Sequence, residues 1–89
     1  MLNAELKRKL KARAHALKPV IIIGQQGLSI AVLNELKLAL EHHELIKVKL
    51  PQIEREERQA IIASLLESTG ADLVQSMGRI ATLYKKKQS

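Results

Sequence analysis

Four β-branched residues in a row, Val20-Ile21-Ile22-Ile23, stand between Lys18-Pro19 and Gly24. Proline pushes the residue before it out of the helical region, glycine ends the run, and β-branched side chains favour extended backbone, so this segment is a short strand. The run does not alternate, which predicts a strand covered on both faces or central in a partly parallel sheet.

Helical spacing flanks this strand. Leu2, Leu6, Leu10, Ala14 and Leu17 fall in one stripe, with Lys7, Arg8, Lys11, His15 and Lys18 on the opposite side, giving a first amphipathic helix that ends at Lys18-Pro19. From Leu28 to His43, Val32, Leu33, Leu36, Ala39 and Leu40 repeat with the same period, and Ser29 is suited to the N-cap. Leu45 to Leu50 alternates, Ile46, Val48 and Leu50 against Lys47 and Lys49, which predicts a strand with one basic, accessible face. Pro51 ends it. Glu54 to Thr69 is the third helix, with Gly70 as its C-cap. Leu73 to Met77 and Ile80 to Tyr84 form a hairpin around Gly78-Arg79, a pair suited to the turn with glycine first.

The predicted order is α-β-α-β-α-β-β, an α/β (α+β) chain folded as a single compact domain over residues 1–89 around a four-stranded mixed sheet. If the strands joined by the second and third helices are parallel, right-handed crossovers place both helices on one face. The core must be aliphatic, because the chain has no Phe, no Trp and one tyrosine, Tyr84. That excludes modules that read single strands by stacking bases on paired aromatic rings.

The net charge is +6, and its placement is uneven. Six cations against Glu5 leave residues 1–18 at +5, Lys85, Lys86 and Lys87 add +3, and the middle of the chain is −2. Two basic ends brought together would suit a polyanion, by steering and by counterion release. The alternatives are a solvated helix face and, for residues 85–89, a frayed basic tail. Without cysteine there is no disulfide or thiolate metal site, which fits a reducing compartment. The longest apolar run, Pro19 to Ile23, is far short of the roughly 18 residues that span a bilayer, and the lysine-rich start does not resemble a signal peptide, so the expected location is cytoplasmic.

Between the first strand and the second helix lies Gly24-Gln25-Gln26-Gly27. Glycines permit close approach of a ligand and positive φ, and a helix start offers N–H groups with partial positive charge, so a phosphate is the natural guest. The loop lacks the third glycine of a dinucleotide fingerprint and the lysine of a nucleotide P-loop. A merely structural strand-to-helix turn is the competing account. His42 and His43 are adjacent on a helix and diverge by about 100°, so they cannot share a metal there, and no serine is framed as a nucleophile. His42 and His43 suit the C-terminus of their helix instead. Neither catalysis, a cofactor, a metal nor a small-molecule substrate is expected.

Three separated stretches resemble one family: Leu17-Lys18-Pro19-Val20-Ile21-Ile22-Ile23-Gly24-Gln25-Gln26-Gly27-Leu28; Glu41-His42-His43-Glu44-Leu45-Ile46-Lys47-Val48-Lys49; and Gly70-Ala71 with Val74-Gln75, Gly78 and Leu83-Tyr84. In order and spacing they resemble the CRM (chloroplast RNA splicing and ribosome maturation) domain, and within it the stand-alone bacterial YhbY type. The resemblance implies a fold like the C-terminal domain of translation initiation factor three, RNA binding through the GxxG loop, and association with precursors of the large ribosomal subunit. Carried onto this chain, the loop is Gly24, Gln25, Gln26 and Gly27, supported by Lys18, Lys47 and Lys49; Lys7, Arg8 and Lys11 join the expected RNA-binding residues on the charge of the first helix's outer face. Many members carry a basic residue inside the loop, where this chain has glutamines, and an arginine after the Leu-Tyr pair, where it has Lys85. Backbone N–H groups and glutamine amides then replace charge pairing inside the loop. The expectation is a monomer binding ribosomal RNA or its precursor particle. A KH-like binder of single-stranded RNA, whose GXXG loop joins two helices, and a basic adaptor for an acidic protein are the alternatives.

Overall fold

The computed structural model describes residues 2–86. Its elements are α1 (Ala4–Ala14), β1 (Pro19–Ile22), α2 (Ile30–His43), β2 (Leu45–Lys49), α3 (Arg55–Thr69), β3 (Asp72–Met77) and β4 (Ile80–Tyr84). This is the predicted order. The strands form one sheet in the order β1-β2-β4-β3. β1 pairs parallel with β2, while β4 pairs antiparallel with both β2 and β3. β2 and β3 are therefore parallel to each other across β4, and each helical crossover joins parallel strands, as the same-face expectation requires.

α2 and α3 do share a face. Leu36 and Leu40 of α2 and Ile62 and Leu65 of α3 pack with Ile21, Ile46, Val48, Ala81 and Leu83 into one aliphatic cluster. Gly70 ends α3 in the left-handed conformation at φ 74°, and its N–H donates to the Leu66 carbonyl. The β3–β4 hairpin turns on Gly78 at φ 56° followed by Arg79 at negative φ, the glycine-first arrangement. α1 lies on the other face, where Leu10 and Ala14 pack with Leu45 and Val74, flanked by Leu2, Leu6 and Tyr84. Asn3 caps α1 by accepting a hydrogen bond from the Leu6 N–H at 2.7 Å.

The structure corrects the sequence at several points. β1 is neither central nor covered on both faces. It is an edge strand, with Ile21 6% exposed toward α2 and α3, and Val20 and Ile22 52% and 70% exposed on the other face. The reason is the placement of α1, which seals the other face over β2, β3 and the end of β4 and leaves β1 bare. α1 also ends early: His15 is its C-cap, and Leu17 and Lys18 lie beyond it in the link to β1, both exposed. Pro19 thus begins the strand instead of stopping the helix. α2 starts at Ile30, two residues later than its apolar periodicity suggests, because Ser29 caps it. It passes into β2 through the single residue Glu44, at φ 56° and ψ −44°, a conformation uncommon outside glycine.

Candidate nucleic-acid interface

Gly24-Gln25-Gln26-Gly27 leaves the C-terminal end of β1 as a tight turn closed by a hydrogen bond from the Gly27 N–H to the Gly24 carbonyl at 2.9 Å. Gly27 alone of the two glycines takes positive φ, 81°; Gly24 does not, so positive φ explains only the second. A Cβ built on either would meet no heavy atom within 4 Å. The turn is therefore open on both sides, and Gln25 and Gln26 are exposed and make no hydrogen bond with the described residues. Leu28 anchors its far side against the main core. Ser29 then caps α2, its Oγ accepting from the Val32 N–H at 3.2 Å, and no carboxylate stands in the first turn. The loop thus presents a glycine turn and a helix start whose first N–H groups have no intrahelical acceptor.

The strand register fixes which lysine joins the loop. Ile22 pairs with Lys49, and Lys49 with Ile80, which pairs with Met77, so these four form one row across the open face at the loop end. Lys49 and Lys47 are half-buried there. Ile22 and Met77 are exposed, as is Ile30 at the start of α2. Arg79, which sequence reasoning passed over as a turn residue, stands at the same end. Its Nε donates to the Leu50 carbonyl at 3.0 Å, and the Leu50 N–H donates to the Arg79 carbonyl. The hairpin is thereby pinned to the end of β2.

The remaining basic candidates are elsewhere. α1 packs over Leu45 and Tyr84, the row at the opposite end of the sheet from the loop, and Lys7, Arg8 and Lys11 are exposed on it. Lys18 lies at the start of β1, also away from the loop. Among the described residues the one ion pair is Lys9 with Glu5, at 3.6 Å and well exposed, a contact of little energetic weight. Lys7, Arg8, Lys11 and Lys18 are therefore not neutralised by a carboxylate of the described residues.

Lys85 does not join α1 either. Its backbone N–H donates to the Glu44 carbonyl, and its Nζ to the Thr69 carbonyl at 2.7 Å, at the C-terminus of α3 on the opposite side of the sheet. A cleft of about 660 Å³ there is lined by Lys37, Glu41, Ser68, Thr69, Lys85 and Lys86. Lys87 lies outside the described residues.

Two further residues were illegible as site residues in the sequence. A depression of about 390 Å³ at the start of β1 is lined by Arg13 and Lys18, by His43, and by apolar side chains including Leu17 and Val20. The two neighbouring histidines diverge, their ring centroids 6.3 Å apart and planes at 55°, and of the two only His43 lines the depression. No group of three or more His, Asp or Glu among the described residues could hold a metal ion. Nor is any helix among them long and apolar enough to cross a membrane.

The profile of the CRS1/YhbY (CRM) domain matches residues 2–85, the full run of elements from α1 through β4. The chain belongs to this family. Among its relatives, a probable RNA-binding protein of Pseudomonas aeruginosa is 47% identical over 85 residues, covering 96% of this chain and 82% of its own. An RNA-binding protein of Haemophilus influenzae is 45% identical, covering 94% of this chain and 85% of its own. The solution structure of a Staphylococcus aureus protein, put forward as RNA-binding, superposes with a TM-score of 0.86 at 30% identity, covering all of this chain and 93% of that one. CRM membership agrees with the strand-loop-helix setting of Gly24–Gly27 and removes the KH alternative, in which two helices flank the loop.

Proposed function

We propose that this CRM-family chain is an RNA-binding protein that holds the phosphate backbone of structured RNA at the Gly24–Gly27 loop. The observation that carries the reading is the emptiness around that loop. Neither glycine has a neighbour that its missing Cβ would touch, and although Gly27 takes positive φ, Gly24 does not, so within the free fold nothing requires glycine at position 24. A ligand that comes within contact distance of the backbone does. Unpartnered glutamines, a helix start that carries no carboxylate in its first turn and the neighbouring Lys49 make that ligand an anion.

The names of the relatives support RNA as the source of the anion. The finer reading follows from the family resemblance: ribosomal RNA, in a cytoplasmic assembly factor acting during maturation of the large subunit. No chemical step is assigned. Binding rests on backbone and amide donors inside the loop and on lysines outside it.

The test is binding to ribosomal RNA fragments across a salt series, comparing the parent with Gln25→Asp/Gln26→Asp after checking equal helicity. Roughly five phosphate contacts give a log-log slope near about −3 to −5. Two carboxylates in the cradle are expected to weaken binding by about tenfold or more while leaving the fold intact. Equal binding by the variant would make the loop structural. A parent that binds no RNA would turn attention to an acidic protein partner.

A further inference from the structure

The depression at the start of β1 is the feature that the loop-centred reading leaves unused. It gathers basic side chains from three parts of the chain: Arg13 from the last turn of α1, Lys18 from the link, and His43 from the last residue of α2. No carboxylate of the described residues lines it. The larger cleft beside α3 differs on this point, because Glu41 stands there among the lysines and Lys85 is committed to the Thr69 carbonyl. We propose that the depression is a seat for a second backbone phosphate of the same RNA, with the nucleic-acid strand running along the outer face of β1 to the Gly24–Gly27 loop. This rests on the RNA reading of the loop and extends it.

A polymer fits the surroundings better than a small phosphate does. The strand carries the chain roughly 20 Å from Lys18 to Gly24 at about 3.3 Å per residue. Between the two ends the surface is the exposed pair Val20 and Ile22, with half-buried Lys47 and Lys49 alongside on β2. Val20 belongs to both the depression and this face, so the two are continuous. Two anion-binding sites separated by an apolar stretch flanked by lysines suit a chain several nucleotides long, with a phosphate in each site and sugars and bases between them. The plainer account is that Arg13 and His43 only complement the C-termini of α1 and α2, each worth about half a negative charge. Lys18, outside both helices and facing the same depression, is not explained that way.

The two accounts differ in what a variant changes. On the full chain, Arg13→Ala/His43→Gln is expected to weaken binding of the ribosomal RNA fragment about tenfold and to make the log-log salt slope shallower by roughly 1 to 2. Arg13→Lys, which keeps the charge, should retain most of the slope. An unchanged slope and affinity, with or without a lower unfolding midpoint, would reduce these residues to helix-end partners and overturn the seat. Amide NMR separates its failure from failure of the loop reading. An RNA oligonucleotide long enough to reach both ends should shift the amides of Ala16, Leu17, Lys18 and Val20 together with those of Gly24 to Gly27. Shifts at the loop alone overturn the seat and leave the loop reading standing. Inorganic phosphate that shifts the amides of Ala16, Leu17, Lys18 and Val20 in a parent that binds no RNA would overturn the seat's assignment to RNA.

Discussion

Ile21 and Ile22 are the same residue, adjacent on one strand, and they live in different surroundings: the first is 6% exposed beneath α2 and α3, the second 70% exposed on a face that α1 does not reach. The two faces of the sheet differ in the same way. One is sealed by a continuous aliphatic cluster. The other is sealed only at the α1 end and is open from β1 to the hairpin, where aliphatic side chains sit among Lys47, Lys49 and Arg79. The contrast teaches that the apolar content of β1 serves two purposes. Its inward half holds the fold, and its outward half is surface kept bare beside the loop.

That division is tested first by truncating each isoleucine. Ile21→Ala should lower the free energy of unfolding by about 2–5 kcal/mol, whereas Ile22→Ala should change it by less than about 0.5 kcal/mol in the same denaturant titration. Comparable losses would erase the distinction between the faces. The loop offers a smaller version of the contrast. Gly27→Ala forces alanine to positive φ and should cost about 1 kcal/mol, while Gly24→Ala should leave stability unchanged or slightly raised. Gly24→Ala should nonetheless weaken RNA binding, a split between stability and affinity that a purely structural turn would not show. Lys85→Met removes the exposed lysine that donates to the α3 terminus and should cost roughly 0.5 kcal/mol, with no change in the RNA salt slope, because Lys85 serves the sealed side. The smallest effect is expected for Ile22→Thr: near zero on stability, but a measurable loss of RNA affinity if the strand follows β1.

Much of the fold was legible because its signals are local. The alternation at Ile46, Lys47, Val48, Lys49 and Leu50, the Gly78-Arg79 turn, the Ser29 cap and Gly70 each act within a few residues, and each stands where its chemistry places it. The position of β1 was not legible, since an unbroken apolar run says that one face is buried and nothing about what covers the other. Leu17 continues the apolar stripe of α1 on paper, but the chain has already left the helix at Ala14. The tight passage through Glu44 carries no glycine to announce it. For the site, the loop and Lys49 could be read from spacing. The meeting of Arg13, Lys18 and His43 could not, because it depends on where two helices end relative to one strand.

One consequence of the edge position concerns the company the protein keeps with itself. A border strand with exposed Val20 and Ile22 is a template on which another copy could add a strand, the first step toward aggregation. Here the template is poor. The strand is four residues long, opens with a proline that has no N–H to offer, and carries a register irregularity between Pro19 and Ile21. Like copies also repel through a net charge of +6. Salt screens that repulsion but leaves the proline and the irregular register in place, so the backbone as well as the charge opposes strand addition at this edge.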